Sequence, residues 1–395
     1  MNNNALSAII DKLILHLKLE NYKGYDPYDA LNSYVPYRLL GHKIQVLAIQ
    51  IQLRNPINLR PILGIKKDYS VKSLGLILQA LSQYYQINKR EDVLSEMNKL
   101  FDLLLEKRIK NQNFSGSYWA VHYPIAWKTW ERPKFDPSAV LACVVFEGVF
   151  EYYKATNLSK AKDLLIDIGV FLLNNIPITE NEFGKCYSYT ARKKEIVYNA
   201  NMYVAESLSK LFYLTKEERY KNEALKCIDF DIHYQRHNGC WGYRLYPETG
   251  KEREQIDFHQ GFIINSLGES LKYLGIKDKY YESALKKAFN FYLHEQFTDD
   301  GRGYWRLPSL YPIDIHNQAV GIWIGSKYNY LSDDTIKHKV EAIVEWTLKH
   351  MYNKKKGYFY YQKRRLFINK IDYIRWNQAW MLLGLVNNYV MHYDR

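Results

Sequence analysis

The most constraining feature of this 395-residue chain is a phrase that returns at a nearly fixed interval. It reads Ile256-Asp257-Phe258-His259-Gln260-Gly261, then Ile313-Asp314-Ile315-His316-Asn317-Gln318-Ala319, then Ile371-Asp372-Tyr373 followed by Trp376-Asn377-Gln378-Ala379. The three aspartates stand 57 and 58 residues apart, and weaker copies lie one and two intervals upstream, at Ile196 to Asn201 and at Phe135-Asp136-Pro137-Ser138. After each phrase apolar residues recur at helical spacing, as with Phe262, Ile263, Leu267, Leu271 and Leu274. A polar break and a second amphipathic helix follow, and the unit closes with a strip rich in glycine and aromatics at 238–243, 300–305 and 356–360. A period of this length describes a helical hairpin that buries its apolar face only by stacking on its neighbours.

Counted this way, hairpins begin near Ser70, Asp136, Asn199, Asp257 and Asp314, and a last helix from Ile374 to His392 has no partner downstream. Its partner is expected from the N-terminal region, either the helix Ala5 to Leu19 or the segment Leu39 to Leu53. The fold class expected is therefore all-α, an (α/α)6 toroid of repeated helical hairpins. Residues 1–69 supply the N-terminal helices that close the ring and 70–395 the hairpin repeats. Closure removes exposed terminal repeats that an open array would have to cap. No Pro/Gly/Ser-rich linker divides the chain, so one domain spanning 1–395 is expected.

In such a ring the first helix of each hairpin lines the axis, and the phrase just before it surrounds one mouth of the cavity. The glycine- and aromatic-rich strips lead into that mouth. The catalytic candidates are Asp257, His259, Asp314 and His316, the two histidines taken as matching repeat positions. The substrate-binding candidates are Tyr189, Asn199, Asn201, Trp241, Tyr243, Tyr304, Trp305, Asp372 and Trp376. Paired carboxylates suit glycoside hydrolysis. Paired imidazoles, or a His with a Tyr, suit abstraction of a proton beside a carboxylate or carbonyl, the first step of elimination and epimerisation. The residue types leave these reactions open. Each candidate also has a structural reading: Asp136, Asp257, Asp314 and Asp372 are placed to cap helices, and the histidines to tie hairpins together.

Composition bears on the ligand. The chain holds 36 Tyr, 16 Phe and 9 Trp, many in the strips between apolar helices, where sugar rings stack well on aromatic faces. A net charge of +13 admits an anionic partner, an acidic oligo- or polysaccharide among them. The lysines are dispersed rather than gathered in a stripe, so nucleic acid is not expected. No run approaches the length of a membrane span, and the N-terminal residues lack the pattern of a secretion signal, which points to the cytoplasm. Four cysteines without a C-x-x-C pair read as reduced thiols. His233 and His237 fall where a helix ends, and there is no H-E-x-x-H, phosphate-binding loop or dinucleotide fingerprint, so no metal or cofactor is expected.

Four segments, Gly24 to Ser33, Asn55 to Pro61, Tyr198-Asn199-Ala200-Asn201 and Ile256 to Phe262, resemble a bacterial and archaeal family of six-hairpin glycosidase-like toroids encoded among polysaccharide-biosynthesis genes. The resemblance runs from about residue 22 to 390 with the motifs in the same order. It implies an enzyme of surface-polysaccharide synthesis that epimerises, eliminates or hydrolyses a glycan in the central cavity. A non-catalytic glycan-binding protein of the same pathway is the alternative. A terpenoid-cyclase-like toroid stands further off, for want of a D-x-D-D motif or a zinc set. Likeness of fold narrows the ligand class more than the chemistry. The chain departs from the family where a W-G-Y strip and a W-Q-S-type segment are usual. It has Ser117-Tyr118-Trp119-Ala120 and Ala126-Trp127-Lys128-Thr129-Trp130 instead, which puts in doubt any role carried there.

Overall fold

The computed structural model describes residues 3–128, 130–332 and 334–393; Thr129 of the departing segment lies outside them. Six helices form an inner ring: α3 (Val71–Asn88), α5 (Ala139–Thr156), α7 (Tyr198–Thr215), α9 (His259–Leu274), α11 (Ile315–Lys327) and α13 (Ala379–Tyr393). Each touches the next, and α13 returns to α3, so the ring is closed. These helices are buried nearly all round, in keeping with apolar residues on every face. The outer wall is amphipathic: α4 (Glu91–Glu106), α6 (Ser159–Asn175), α8 (Glu218–His233), α10 (Lys279–Glu295) and α12 (Asp334–His350).

The sixth outer helix is α1 (Asn3–Leu19), which packs on α13 through Leu6, Ile10, Leu13, Ile14 and Leu17. Of the two N-terminal helices, the first therefore completes the last hairpin. The second, α2 (His42–Arg54), lies beside the loops of the mouth and touches the strand Ile125–Trp127. The role of α1 as a regular member of the ring is visible in a close approach that five of the six units make. The glycine in each strip meets the backbone of the next outer helix: Gly116 meets Asp167 O, Gly184 meets Lys226 O, Gly239 meets Lys287 O and Gly301 meets Ala342 O. Gly357, at φ +72°, makes the same approach to Lys12 O of α1.

The strips themselves are short antiparallel hairpins, such as Ile178–Asn181 with Gly184–Tyr187 and Tyr352–Asn353 with Tyr358–Phe359. They are fastened to the inner helices by side-chain amides. Gln260 accepts from Trp241 N–H at 3.0 Å and donates to Trp241 O at 2.9 Å. Gln318 accepts from Gly303 N–H at 2.6 Å and donates to Gly301 O. Gln378 accepts from Phe359 N–H and donates to Phe359 O, and Asn201 does the same with Tyr187 N–H and Lys185 O. One amide thus satisfies two backbone groups that the strip leaves buried in every one of these units.

Toward the C-terminal ends of the inner helices the axis is filled by a buried charge network. Lys210 pairs with Glu147, with Glu206 at 2.7 Å and with Glu269 at 3.2 Å, while Lys327 pairs with Glu269 at 3.2 Å. Asn265 and Ser266 donate to Glu206. Open polar chemistry is therefore left to the opposite, N-terminal mouth.

Candidate functional site

The mouth is built from the first turns of the inner helices and the loops that precede them. Asp314 caps α11, accepting from His316 N–H at 2.9 Å. Its other partners reach across the mouth: Gln362 Nε2 donates at 2.7 Å and Trp376 Nε1 at 2.8 Å. No cation pairs with it among the described residues. Burial pushes its carboxyl up to about 6, against these donations, and the neighbouring Asp257 adds to the rise.

Asp257 is equally buried but differently held. It accepts from His259 Nδ1 at 2.5 Å and from Gln255 Nε2 at 2.7 Å, with Arg306 Nε at 3.6 Å. Burial raises its carboxyl, but His259 and Arg306 outweigh that and hold it below the usual range. The two carboxyls of one mouth are thus driven in opposite directions by their surroundings.

His316 is the least satisfied group there. Its ring is 1% exposed, and neither Nδ1 nor Nε2 has a hydrogen-bond partner among the described residues. It is sandwiched by aromatics: Phe258 stacks at 4.3 Å, and Trp376 and Trp380 approach at 4.5 and 4.8 Å. Burial, together with the charges of Lys72, Arg375 and His259, pushes its protonation far below the ordinary range, so the imidazole is neutral. Lys72, in the first turn of α3, holds Nζ 5.4 Å over Trp380 and 5.6 Å over Phe262. Burial and then Arg375 pull its ammonium down to about 7. Arg375 itself is bound by both carboxylate oxygens of Asp26, and Tyr28, two residues on, sets its ring edge against Trp376 at 5.9 Å.

The other sequence candidates divide. Tyr243 meets His259 edge-on at 4.8 Å, Tyr189 lies under Arg132 at 5.8 Å, and Trp376 bridges Asp314 and His316. Asn199, 3% exposed, keeps Oδ1 unpartnered in the first turn of α7. Tyr304 and Trp305 are half-buried on the rim, the latter under Arg306 at 4.5 Å.

Three are placed elsewhere. Trp241 is fully buried and donates Nε1 to Asp231 O at 2.6 Å, so it offers no face to a ligand. Asn201 is consumed as an amide clamp. Asp372 accepts from Gln378 and pairs with His16 of α1 at 2.7 Å, joining the ends of the ring.

Asp136 and Asp372 do not cap helices; Ser138 caps α5, and the α13 entry is a π-turn over Ile374–Gln378 without a side-chain cap. Arg60 pairs with Asp29 at 2.7 Å and is fully buried. The two histidines are also not equivalent. Measured from the clamping glutamines, His259 precedes Gln260 by one residue and His316 precedes Gln318 by two, so His316 takes the place of Phe258 and of Trp376. Lys72, Arg132, Arg375, Asp26, Tyr28 and Trp380 escaped sequence reading, because none belongs to the repeated phrase as a charged or aromatic constant.

Solved structures with the same arrangement of helices are found over nearly the whole chain. A possible member of the GH105 family from Klebsiella pneumoniae superposes with a TM-score of 0.68 at 11% identity, covering 99% of this chain and 94% of that one. Cellobiose 2-epimerase from Bacillus thermoamylovorans gives 0.66 at 16% identity over 80% and 87%. Unsaturated glucuronyl hydrolase from Streptococcus agalactiae gives 0.63 at 14% identity over 98% and 92%. The fold is six-hairpin glycosidase-like. Within this toroid, residues 179–272, from the strip at Ile178–Tyr187 into the last turn of α9, match the profile of the pectic acid lyase family. No curated protein sequence matches the chain. None of its described helices is long and apolar enough to cross a membrane.

Proposed function

We propose that the chain is an enzyme that modifies a glycan by acid–base chemistry in this mouth, Asp314 donating a proton and His316 accepting one. One observation carries the reading: a carboxyl that keeps its proton to about pH 6 stands beside an imidazole that stays neutral there, with both ring nitrogens unpartnered. The ordinary order of protonation is reversed, which is how environments separate an acid from a base. Asp257 and His259, with Tyr243, stand on the adjacent wall as substrate-orienting groups. Phe258 and Trp376, both half-buried, supply faces on which a sugar ring stacks.

An acidic glycan is favoured by the cations around the mouth, Lys72, Arg132, Arg306 and Arg375. The similarity to epimerases, a glucuronyl hydrolase and a pectic acid lyase profile supports a saccharide substrate. The place in surface-polysaccharide synthesis rests on the family resemblance. A cytoplasmic site of action is supported by four free, buried cysteines. We also propose that 1–395 acts as one domain, because the last inner helix, α13, packs on α1 from the other end of the chain.

The test is incubation of the protein in D2O with uronate-containing and neutral oligosaccharides. Deuterium gained without chain cleavage marks epimerisation, an unsaturated product marks elimination, and new reducing ends without an unsaturated product mark hydrolysis. Asp314→Asn and His316→Ala are each expected to slow that reaction by about 10²- to 10⁴-fold. Glycan binding with no turnover by any of these readouts establishes the non-catalytic alternative instead.

A further inference from the structure

Two cations near α3, the half-buried Lys72 and the buried Arg132, are only partly satisfied. Lys72 has no ion pair and no hydrogen bond among the described residues; its ammonium lies over Trp380 and Phe262, with the charges of Arg375 and Arg132 opposing it and that of Asp26 favouring it. Arg132, on the strand Trp130–Arg132, is 5% exposed, and its Nε and Nη2 make no hydrogen bond among the described residues. The carboxylate nearest Arg132 is Asp136 at 3.6 Å, and that group is already hydrogen-bonded by Arg192 Nε. Arg375 is likewise taken by Asp26. A buried cation that shares its carboxylate with another arginine is incompletely compensated, and unpaired buried guanidinium N–H groups add to that cost. Such an arrangement persists where a ligand anion completes it.

We propose that Lys72 and Arg132 form an anion subsite at the wall of the mouth, which takes the carboxylate of a uronic acid unit. The site rests on the glycan reading above and sharpens it. The carboxylate accepts from Lys72 Nζ and from the Arg132 N–H groups that make no hydrogen bond among the described residues. His316, whose nitrogens face no protein partner, lies within the reach of Lys72's charge. With its charge neutralised by the two cations, the carboxylate takes up the electron pair as an enediolate when the neutral imidazole of His316 removes the adjacent carbon's proton. Reprotonation of that carbon completes epimerisation, and loss of the β-linked sugar oxygen, protonated by Asp314, completes elimination. The pair therefore acts on specificity first, and on the acidity of that carbon second.

The experiment is calorimetric titration of the Asp314→Asn protein with a uronate oligosaccharide and with its carboxyl-reduced counterpart. Reduction of the carboxylate takes away the charge-assisted hydrogen bonds to the two cations, and is expected to separate the two affinities by about tenfold or more. Adding Lys72→Met removes that preference and leaves affinity for the reduced sugar unchanged. Arg132→Gln narrows the preference, and Lys72→Arg retains part of it. A preference that survives both Lys72→Met and Arg132→Gln overturns the subsite.

Should neither sugar bind, the glycan reading fails, and inorganic sulfate at fixed ionic strength decides the subsite alone. Sulfate that raises the melting temperature of the native protein but not of Lys72→Met upholds it, and equal stabilisation of both overturns it.

Discussion

Trp376 Nε1 donates to Oδ1 of Asp314 at 2.8 Å, so the indole that packs against His316 also holds the carboxyl proposed as the acid. The bond joins the entry of the last inner helix to the cap of its neighbour and favours the charged carboxylate. Trp376→Phe keeps an aromatic face but removes the donor. Its expected effect is an upward move of the alkaline limb of the kcat/KM profile by about one unit, since a hydrogen bond to a charged group contributes on that scale. An unmoved limb would show that Asp314 does not set it.

The wild-type profile follows from the same carboxyl. Asp314 serves as an acid only while protonated, so activity is expected to fall as pH rises through about 6. His316, neutral across that range, adds no limb of its own there. A rate that rises through pH 6 would reverse the assignment and make Asp314 the base.

Stability carries an independent sign. The folded carboxyl of Asp314 lies near 6 against an ordinary aspartate value of 3.8, so its favourable contribution is complete below about pH 4 and is lost as pH rises through 6. Asn at this position does not titrate. The stability difference between Asp314→Asn and wild type is therefore expected to shift in the variant's favour by roughly 3 kcal/mol between pH 4 and 8, two units at about 1.4 kcal/mol each. Urea unfolding at a series of pH values reads it, and a flat difference would mean that the carboxyl titrates normally.

Much of the ring was legible in the sequence, because the physics of a stacked hairpin repeats and so does its phrase. What repeats most faithfully is the structural part. Gln260, Gln318 and Gln378 recur because each strip leaves one buried N–H and one C=O to satisfy. The Asp-x-His echo around Asp257 and Asp314 looked equally regular, yet its members sit one residue out of register. The shift turns His316 into the aromatic box and leaves His259 on Asp257. Trp241 shows the same limit from the other side: a Gly-Cys-Trp-Gly strip reads as a sugar platform, but its indole is the plug beneath the strip. Lys72 carried no signal at all, since a lysine opening an amphipathic helix is ordinary, and only the closed ring reveals that its end is enclosed.

Asp372 is the candidate whose role changed most, and it can be tested against Asp314. Its carboxylate ties His16 of α1 to Gln378 of the last hairpin, and it makes no hydrogen bond to Asp314 or His316. Asp372→Asn is expected to lower stability by about 1 kcal/mol, and His16→Ala by a similar amount, with glycan affinity and kcat unchanged. A fall in affinity at full stability would return Asp372 to the binding surface.

The seam between the chain's two ends gives the sharpest test of ring closure. A Cβ on Gly357 would stand 2.8 Å from Lys12 O, and the residue has φ +72°, so Gly357→Ala meets both a steric and a conformational penalty. Gly250 has a similar φ of +65° but open space around it, so Gly250→Ala meets only the second. The conformational part amounts to about 1 kcal/mol and is common to both. Urea unfolding of the two variants therefore isolates the packing of the last strip on α1. If Gly357→Ala is more destabilising by a further ~1 kcal/mol or more, α1 is held against the strip as tightly as the other outer helices. Equal effects would mean that α1 yields at the seam, and that the sixth hairpin is the loosest in the ring.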